Sequence, residues 1–86
     1  MPGPFAFDPV LSGKASAVLV GLPKAKQRIV ADLAFRLAEH PSQLGDYSTR
    51  ESAGREIQHI NLGDWHFSFW ADHAARELRI TEITEL

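Results

Sequence analysis

Aromatic and polar residues alternate strictly between residues 64 and 70, and this is the clearest pattern in the chain. One side of an extended strand would carry Trp65, Phe67 and Phe69. The other side would carry His66, Ser68 and Trp70. The segment therefore predicts a β-strand with one large aromatic face, and that face needs an apolar cover from elsewhere in the chain.

The alternation resumes after a short polar interruption at residues 72–75. Leu78 and Ile80 fall on one side of the resumed pattern, whereas Arg79 and Thr81 fall on the other. We expect residues 64–83 to form a β-hairpin whose loop has about four to six residues.

Two stretches before this hairpin have the spacing of amphipathic helices. Apolar residues recur at helical spacing between residues 11 and 22, and Ser12 is suited to cap the first helix. A second helix is predicted over residues 23–40, where Ile29, Leu33 and Leu37 repeat every four residues. These helices are the expected cover of the aromatic strand face.

The remaining segments predict strands and one long loop. Phe5 and Phe7 have the two-residue spacing of a short strand over residues 4–8, which Pro9 should end. The polar residues 42–54 predict a loop, and residues 55–62 predict a strand in which Ile57 and Ile60 share a face only if a bulge intervenes. The order β-α-α-β-β-β predicts an α+β fold in one domain, residues 1–86, with both N-terminal helices on one face of a small antiparallel sheet.

Composition and charge narrow the function classes. An apolar share of 44% is typical of a folded protein, and no run approaches the ~20 apolar residues of a membrane helix. A net charge of −2 gives no general attraction for nucleic acid, although Lys24 and Lys26 could form a local basic patch. Together with the absence of cysteine and of a signal peptide, this predicts a cytoplasmic protein.

Candidate chemistry lies on the sheet face that points away from the helices. Strand parity places His66 there with Arg79, and Glu56 and Gln58 of the preceding strand could join them. A histidine, a carboxylate and an arginine on one open face could supply an acid, a base and a phosphate clamp for RNA cleavage. The alternative is an exposed polar sheet face without chemistry.

Two further features bear on ligands. His59 and His73 lie fourteen positions apart and lack a third partner at ligand spacing, so neither a metal site nor a cofactor is expected. Trp70 falls on the polar side of its strand, and an exposed tryptophan often marks an interface or a stacking platform.

The layout resembles the RelE/ParE superfamily of toxins from type II toxin–antitoxin systems. The resemblance covers nearly the whole chain. It rests on the order of elements, on a helix entered through residues 21–24 and closed by residues 37–41, and on the glycine-led aromatic strand at residues 63–70. His66 occupies the position of an arginine in the family strand, and Glu56 and Gln58 correspond roughly to family lysines.

This resemblance implies a toxin held inactive by a cognate antitoxin, with the ribosome and its mRNA or DNA gyrase as the cellular target. The residues expected to bind RNA or another target are Arg55, Gln58, Trp70, Lys24 and Lys26. One alternative is a ribosome-dependent mRNA endonuclease that uses His66, Glu56 and an arginine, either Arg55 or Arg79. Another is a non-toxic homo-oligomeric binding module in which Trp70 is buried against a second copy.

Overall fold

The computed structural model describes residues 6–86, which form two helices and a five-stranded sheet. The elements in chain order are β1 Asp8–Leu11, α1 Gly13–Val20, α2 Lys24–Glu39, β2 Tyr47–Arg50, β3 Glu56–Leu62, β4 Trp65–Asp72 and β5 Glu77–Glu85. The strands lie in the order β1-β5-β4-β3-β2. None of the helices in this part of the chain has the length and apolar character needed to span a membrane.

The sheet is mixed rather than fully antiparallel. β2 to β5 pair antiparallel through consecutive hairpins, but β1 pairs parallel with β5 at the edge. The predicted α+β order of strand, two helices and later strands is confirmed. The expectation of a purely antiparallel sheet fails because the first strand joins the last one in the same direction.

Both helices pack on the aromatic face of the sheet, as predicted. The Ser12 hydroxyl caps α1 by accepting a hydrogen bond from the Ala15 backbone N–H at 3.1 Å. The residues that α2 buries are Val30, Ala34, Leu37 and Ala38. Ile29 was expected in this stripe, but it is 50% exposed. It directly precedes the buried Val30, so it points about 100° away from Val30 around the helix axis.

The sheet supplies the large side chains of the core. Trp65, Phe67 and Phe69 are all buried on this face, and Phe67 is fully inaccessible to solvent. β5 contributes Leu78, Ile80 and Ile83. Since Ile80 and Ile83 are three positions apart, regular alternation would place them on opposite faces. A bulge resolves the conflict, because Ser68 pairs with Glu82 while Phe69 pairs with Ile80, which leaves Thr81 as the extra residue.

Three strand predictions differ from the structure. The first strand lies at Asp8–Leu11 rather than at residues 4–8, whose Pro4 and Phe5 lie outside the described residues. It includes Pro9, which an edge strand tolerates. The predicted loop over residues 42–54 contains β2, whose four residues are all exposed. Ile57 and Ile60 lie on opposite faces, so β3 needs no bulge: Ile57 pairs with Thr49, and Ile60 pairs with the core residue Phe67.

Candidate functional site

We call the sheet face opposite the helices the open face. Its centre is a stack of three rings from β2, β3 and β4, namely Tyr47, His59 and His66. The Tyr47 and His59 rings lie 4.5 Å apart with an interplanar angle of 5°, and the His59 and His66 rings lie 5.6 Å apart. The pairing of Tyr47 with His59, of His59 with Ser68 and of Asn61 with His66 brings these strands into register. We refer to these three side chains as the ring stack.

The segment before β2 fixes the position of Tyr47. The Asp46 backbone N–H donates to the His59 carbonyl at 2.7 Å, and the Asp46 carboxylate accepts from the Asn61 N–H at 3.0 Å. A Cβ on Gly45 would collide with the His59 backbone, so only glycine allows this close approach. Tyr47 is therefore held against β3 although β2 has only four residues.

His59 is held between two hydroxyl groups. Its Nε2 lies 2.7 Å from the Thr49 hydroxyl, and its Nδ1 lies 3.0 Å from the Ser68 hydroxyl. Ser68 is 2% exposed, and His59 is its hydrogen-bond partner. Both ring nitrogens of His59 are occupied, so this histidine is a positioning residue of the ring stack.

His66 has one ring nitrogen left for chemistry. Its Nδ1 lies 2.7 Å from Asn61 Oδ1, and because that oxygen only accepts, the Nδ1–H donates. Within residues 6–86 the Nε2 atom has no hydrogen-bond partner. A neutral His66 therefore presents Nε2 as a proton acceptor, and a protonated His66 presents it as a donor. This is the arrangement that a general base or acid requires.

The environment keeps His59 neutral. Burial lowers the pKa of His59 below its usual 6.5, and the nearby His66 lowers it further, whereas Glu82 opposes the shift. Glu82 lies on the open face opposite Ser68 and is paired with Lys14 at 3.4 Å. Near pH 7 the ring stack thus contains at least one uncharged imidazole.

This pKa shift predicts a loss of stability in mild acid. Above pH 6.5 His59 is neutral in both the folded and the unfolded chain, so its contribution is complete there. As the pH falls below 6.5 the unfolded chain binds a proton first, and stability falls until the lower folded pKa is passed. We expect a His59→Gln variant to lack this component. The free energy of unfolding of the wild type and of His59→Gln can be measured in urea between pH 7.5 and 5. The difference between the two proteins should change below pH 6.5. A difference that stays constant over this range would contradict the assignment.

A second group of side chains lies farther along the open face. The Arg55 guanidinium carbon lies 3.9 Å above the centre of the Trp70 ring, and that of Arg79 lies 5.7 Å from it. Arg79 forms ion pairs with Glu77 at 2.7 Å and with Asp72 at 3.5 Å. We call Arg55, Trp70 and Arg79 the arginine–tryptophan cluster.

The predicted acid–base–clamp arrangement is only partly assembled. His66 and Arg79 do share the open face, as expected. Arg79 pairs with Trp70, however, which is four residues from His66 along β4, or about 13 Å at ~3.3 Å per residue. The two side chains are therefore attached at separate positions on the open face, and Arg79 is paired with Glu77 and Asp72 rather than with His66.

The other predicted site residues lie away from His66. Glu56 and Gln58 were expected on the open face, but Gln58 pairs with the core residue Phe69, so both lie on the helix side of the sheet. Gln58 donates to Glu56 at 3.3 Å and accepts from the Gly45 N–H. Lys24 and Lys26 stand at the start of α2 on that same side, and Lys26 is paired with Glu85 at 2.7 Å.

His59 and Tyr47 are members of the site that were not predicted from the sequence. His59 was considered only as a metal ligand, although the two-residue turn at Gly63 and Asp64 places it two rungs from His66 in a regular hairpin. Tyr47 carries no such signal, because its strand was not predicted. Among residues 6–86, no three His, Asp or Glu side chains are grouped closely enough to hold a metal ion.

Two N-terminal helices on one face of a sheet in the order β1-β5-β4-β3-β2 give this chain the fold of RelE toxins. It is similar to RelE from the RelBE2 toxin–antitoxin complex of Mycobacterium tuberculosis, with a TM-score of 0.78, 16% identity and coverage of 100% of this chain and 98% of that one. It is also similar to a chain of the archaeal RelE–RelB complex from Pyrococcus horikoshii OT3, with a TM-score of 0.67, 14% identity and coverage of 93% and 94%. A third similar structure is the intact Escherichia coli RelBE toxin–antitoxin complex, with a TM-score of 0.59, 10% identity and coverage of 94% and 98%. No protein-family model and no curated protein matches the sequence.

Proposed function

We propose that this protein is the toxin component of a type II toxin–antitoxin pair and is neutralised by a cognate antitoxin. The observation that carries the proposal is the match of at least 93% of this chain to at least 94% of each chain solved in three toxin–antitoxin complexes. Its site of action would be the cytoplasm.

The open face is the surface proposed to act on the target. The helices cover the other face, whereas the open face holds the ring stack and the arginine–tryptophan cluster. It also contains His66, whose Nε2 is unoccupied within the described residues. Histidine is the usual side chain for proton transfer at physiological pH.

A second, more specific candidate function is cleavage of mRNA on the ribosome. In this reaction the 2′-hydroxyl of RNA attacks the neighbouring phosphorus, a base removes the hydroxyl proton, and an acid protonates the departing 5′-oxygen. His66 could supply one of these proton transfers, and its free Nε2 is the observation that favours this function. His59 and Asn61 would act by orienting the ring stack, since their polar atoms are bound within it.

Induction of the chain in bacteria tests the toxin assignment. We expect expression alone to stop growth, and co-expression of a small reading frame adjoining the gene to restore it. The two proteins should then copurify as a complex. Normal growth at a verified level of folded protein would refute toxicity.

Other targets give different results in the same cells. Inhibition of DNA gyrase would change plasmid supercoiling while messages stay intact. A non-toxic homo-oligomer would leave growth unaffected and would sediment as a dimer or larger species at micromolar concentration. Each outcome replaces mRNA cleavage with a distinct function.

A further inference from the structure

The arginine–tryptophan cluster borders a small cavity at one end of the open face. The cavity has a volume of about 200 Å³ and is lined on one side by β1 and on the other by Arg55, Trp70 and Arg79. The Arg55 guanidinium lies over Trp70 at 3.9 Å, so a planar cation and an aromatic ring are already stacked at its wall. The cluster is about 13 Å from His66 along β4 and is not part of the ring stack.

The positive charges of this region are neutralised within the protein. Arg55 pairs with Glu51 at 3.5 Å, and Arg79 pairs with both Glu77 and Asp72. Lys14, which also reaches this face, pairs with Glu82 at 3.4 Å. Paired arginines attract phosphate weakly, but their flat faces remain available for stacking. The region is therefore better suited to a planar ring than to an anion.

One hydrogen-bond donor of the cluster is unused. The Arg79 Nε atom is buried and has no hydrogen-bond partner within the described residues, and the Asp72 carboxylate oxygen with which it is ion-paired is 3.5 Å away. Because the Nε atom is inaccessible to solvent, it faces Asp72 inside the cluster and does not contact a ligand.

We propose that the arginine–tryptophan cluster is a subsite that binds one base of single-stranded RNA by stacking on Arg55 and Trp70. The proposal rests on the proposed function, specifically on RNA as the molecule that meets the open face. Unstacked bases bind aromatic rings and arginine planes, whereas the phosphate backbone needs uncompensated positive charge. The subsite thus holds a base near, but not at, the phosphate where His66 would transfer a proton.

This mode of binding predicts a weak dependence on salt. Each phosphate neutralised by a single-stranded ligand contributes a slope of about −0.7 to the plot of log affinity against log salt concentration. Because the cations of the cluster are already paired, we expect a slope shallower than about −1.4, which corresponds to two phosphate contacts. A steeper slope would mean that phosphate, not the base, carries the affinity.

Nuclear magnetic resonance of the ¹⁵N-labelled protein can locate the base. The chain has two tryptophans, and Trp65 is 3% exposed on the helix side of the sheet, so it serves as an internal control. On addition of a single-stranded RNA hexamer, the indole N–H signal of Trp70 should shift while that of Trp65 stays. A hexamer with the same phosphates but without bases should leave both signals in place. An unmoved Trp70 signal, or equal shifts with the baseless hexamer, would overturn the proposal.

A matched pair of arginine variants tests the contribution of the stack. Arg55→Ala removes the cation over Trp70 and should weaken hexamer binding about 2- to 30-fold. Arg28→Ala removes an exposed arginine from α2 on the helix side and should leave the affinity unchanged. Equal affinities of the two variants would contradict the subsite.

The failure of this inference can be distinguished from failure of the toxin assignment. If RNA does not shift Trp70 while growth arrest and neutralisation by the antitoxin persist, only the base subsite is wrong. If the antitoxin shifts the Trp70 signal and RNA does not, the cluster binds a protein partner and the proposal is likewise overturned.

Discussion

Replacing Phe67 with alanine is expected to cost about 3–5 kcal/mol of the free energy of unfolding. Phe67 is fully buried between the sheet and the helices, so its removal leaves a cavity in the centre of the core. A chain of 86 residues typically has about 4–13 kcal/mol of stability, at ~0.05–0.15 kcal/mol per residue. The variant should therefore lose a large part of its stability and unfold at a much lower urea concentration than the wild type. Circular dichroism measures this transition.

Phe35 provides the matched control for this prediction. It has the same side chain but is 55% exposed on the outer side of α2. Phe35→Ala should change the free energy of unfolding by no more than about 0.5 kcal/mol. If the two variants were equally stable, the helices would not cover the aromatic face of the sheet in the way described.

Replacing His66 with alanine is expected to slow RNA cleavage on translating ribosomes by about 10²- to 10⁴-fold. The reason is that His66 offers a ring nitrogen free for proton transfer, whereas both nitrogens of His59 are occupied by hydroxyl groups. Cleavage can be measured from the appearance of new 5′ ends in a defined message. The thermal unfolding midpoint should change little, because His66 is only partly buried.

His40→Ala is the corresponding control, since His40 is exposed at the end of α2 on the far side of the sheet. This variant should cleave at the wild-type rate. Cleavage by His66→Ala at that same rate would remove His66 from the mechanism. Tyr47 would then be the remaining ring-stack candidate, since both ring nitrogens of His59 are occupied.

The parts of the fold that follow from local pattern were predictable from the sequence. The aromatic face of β4 and the buried side of α2 arise because the period of large apolar residues matches the geometry of a strand or a helix. Leu78 and Ile80 were assigned to the core on the same basis. The bulge at Thr81 could not be predicted, because regular alternation places Ile83 on the opposite face and only the pairing of β4 with β5 corrects this.

The candidate site depended on strand register, and here the sequence was less informative. His66 was placed on the open face from parity within one strand. The ring stack needed the pairing between strands, and β2 has four exposed residues without an apolar alternation to reveal it. The same lack of register led to the wrong face for Glu56 and Gln58. A four-residue strand is stabilised by its neighbour, so its presence cannot be read from its own residues.

The most direct test of the account is a count of viable cells after induction of three proteins at equal folded levels. We expect the wild type and His40→Ala to stop growth and His66→Ala to leave growth unaffected, although all three bind the same antitoxin. Growth arrest by His66→Ala as strong as that by the wild type, or no arrest by any of the three, would contradict the claim that the open face carries the toxic activity.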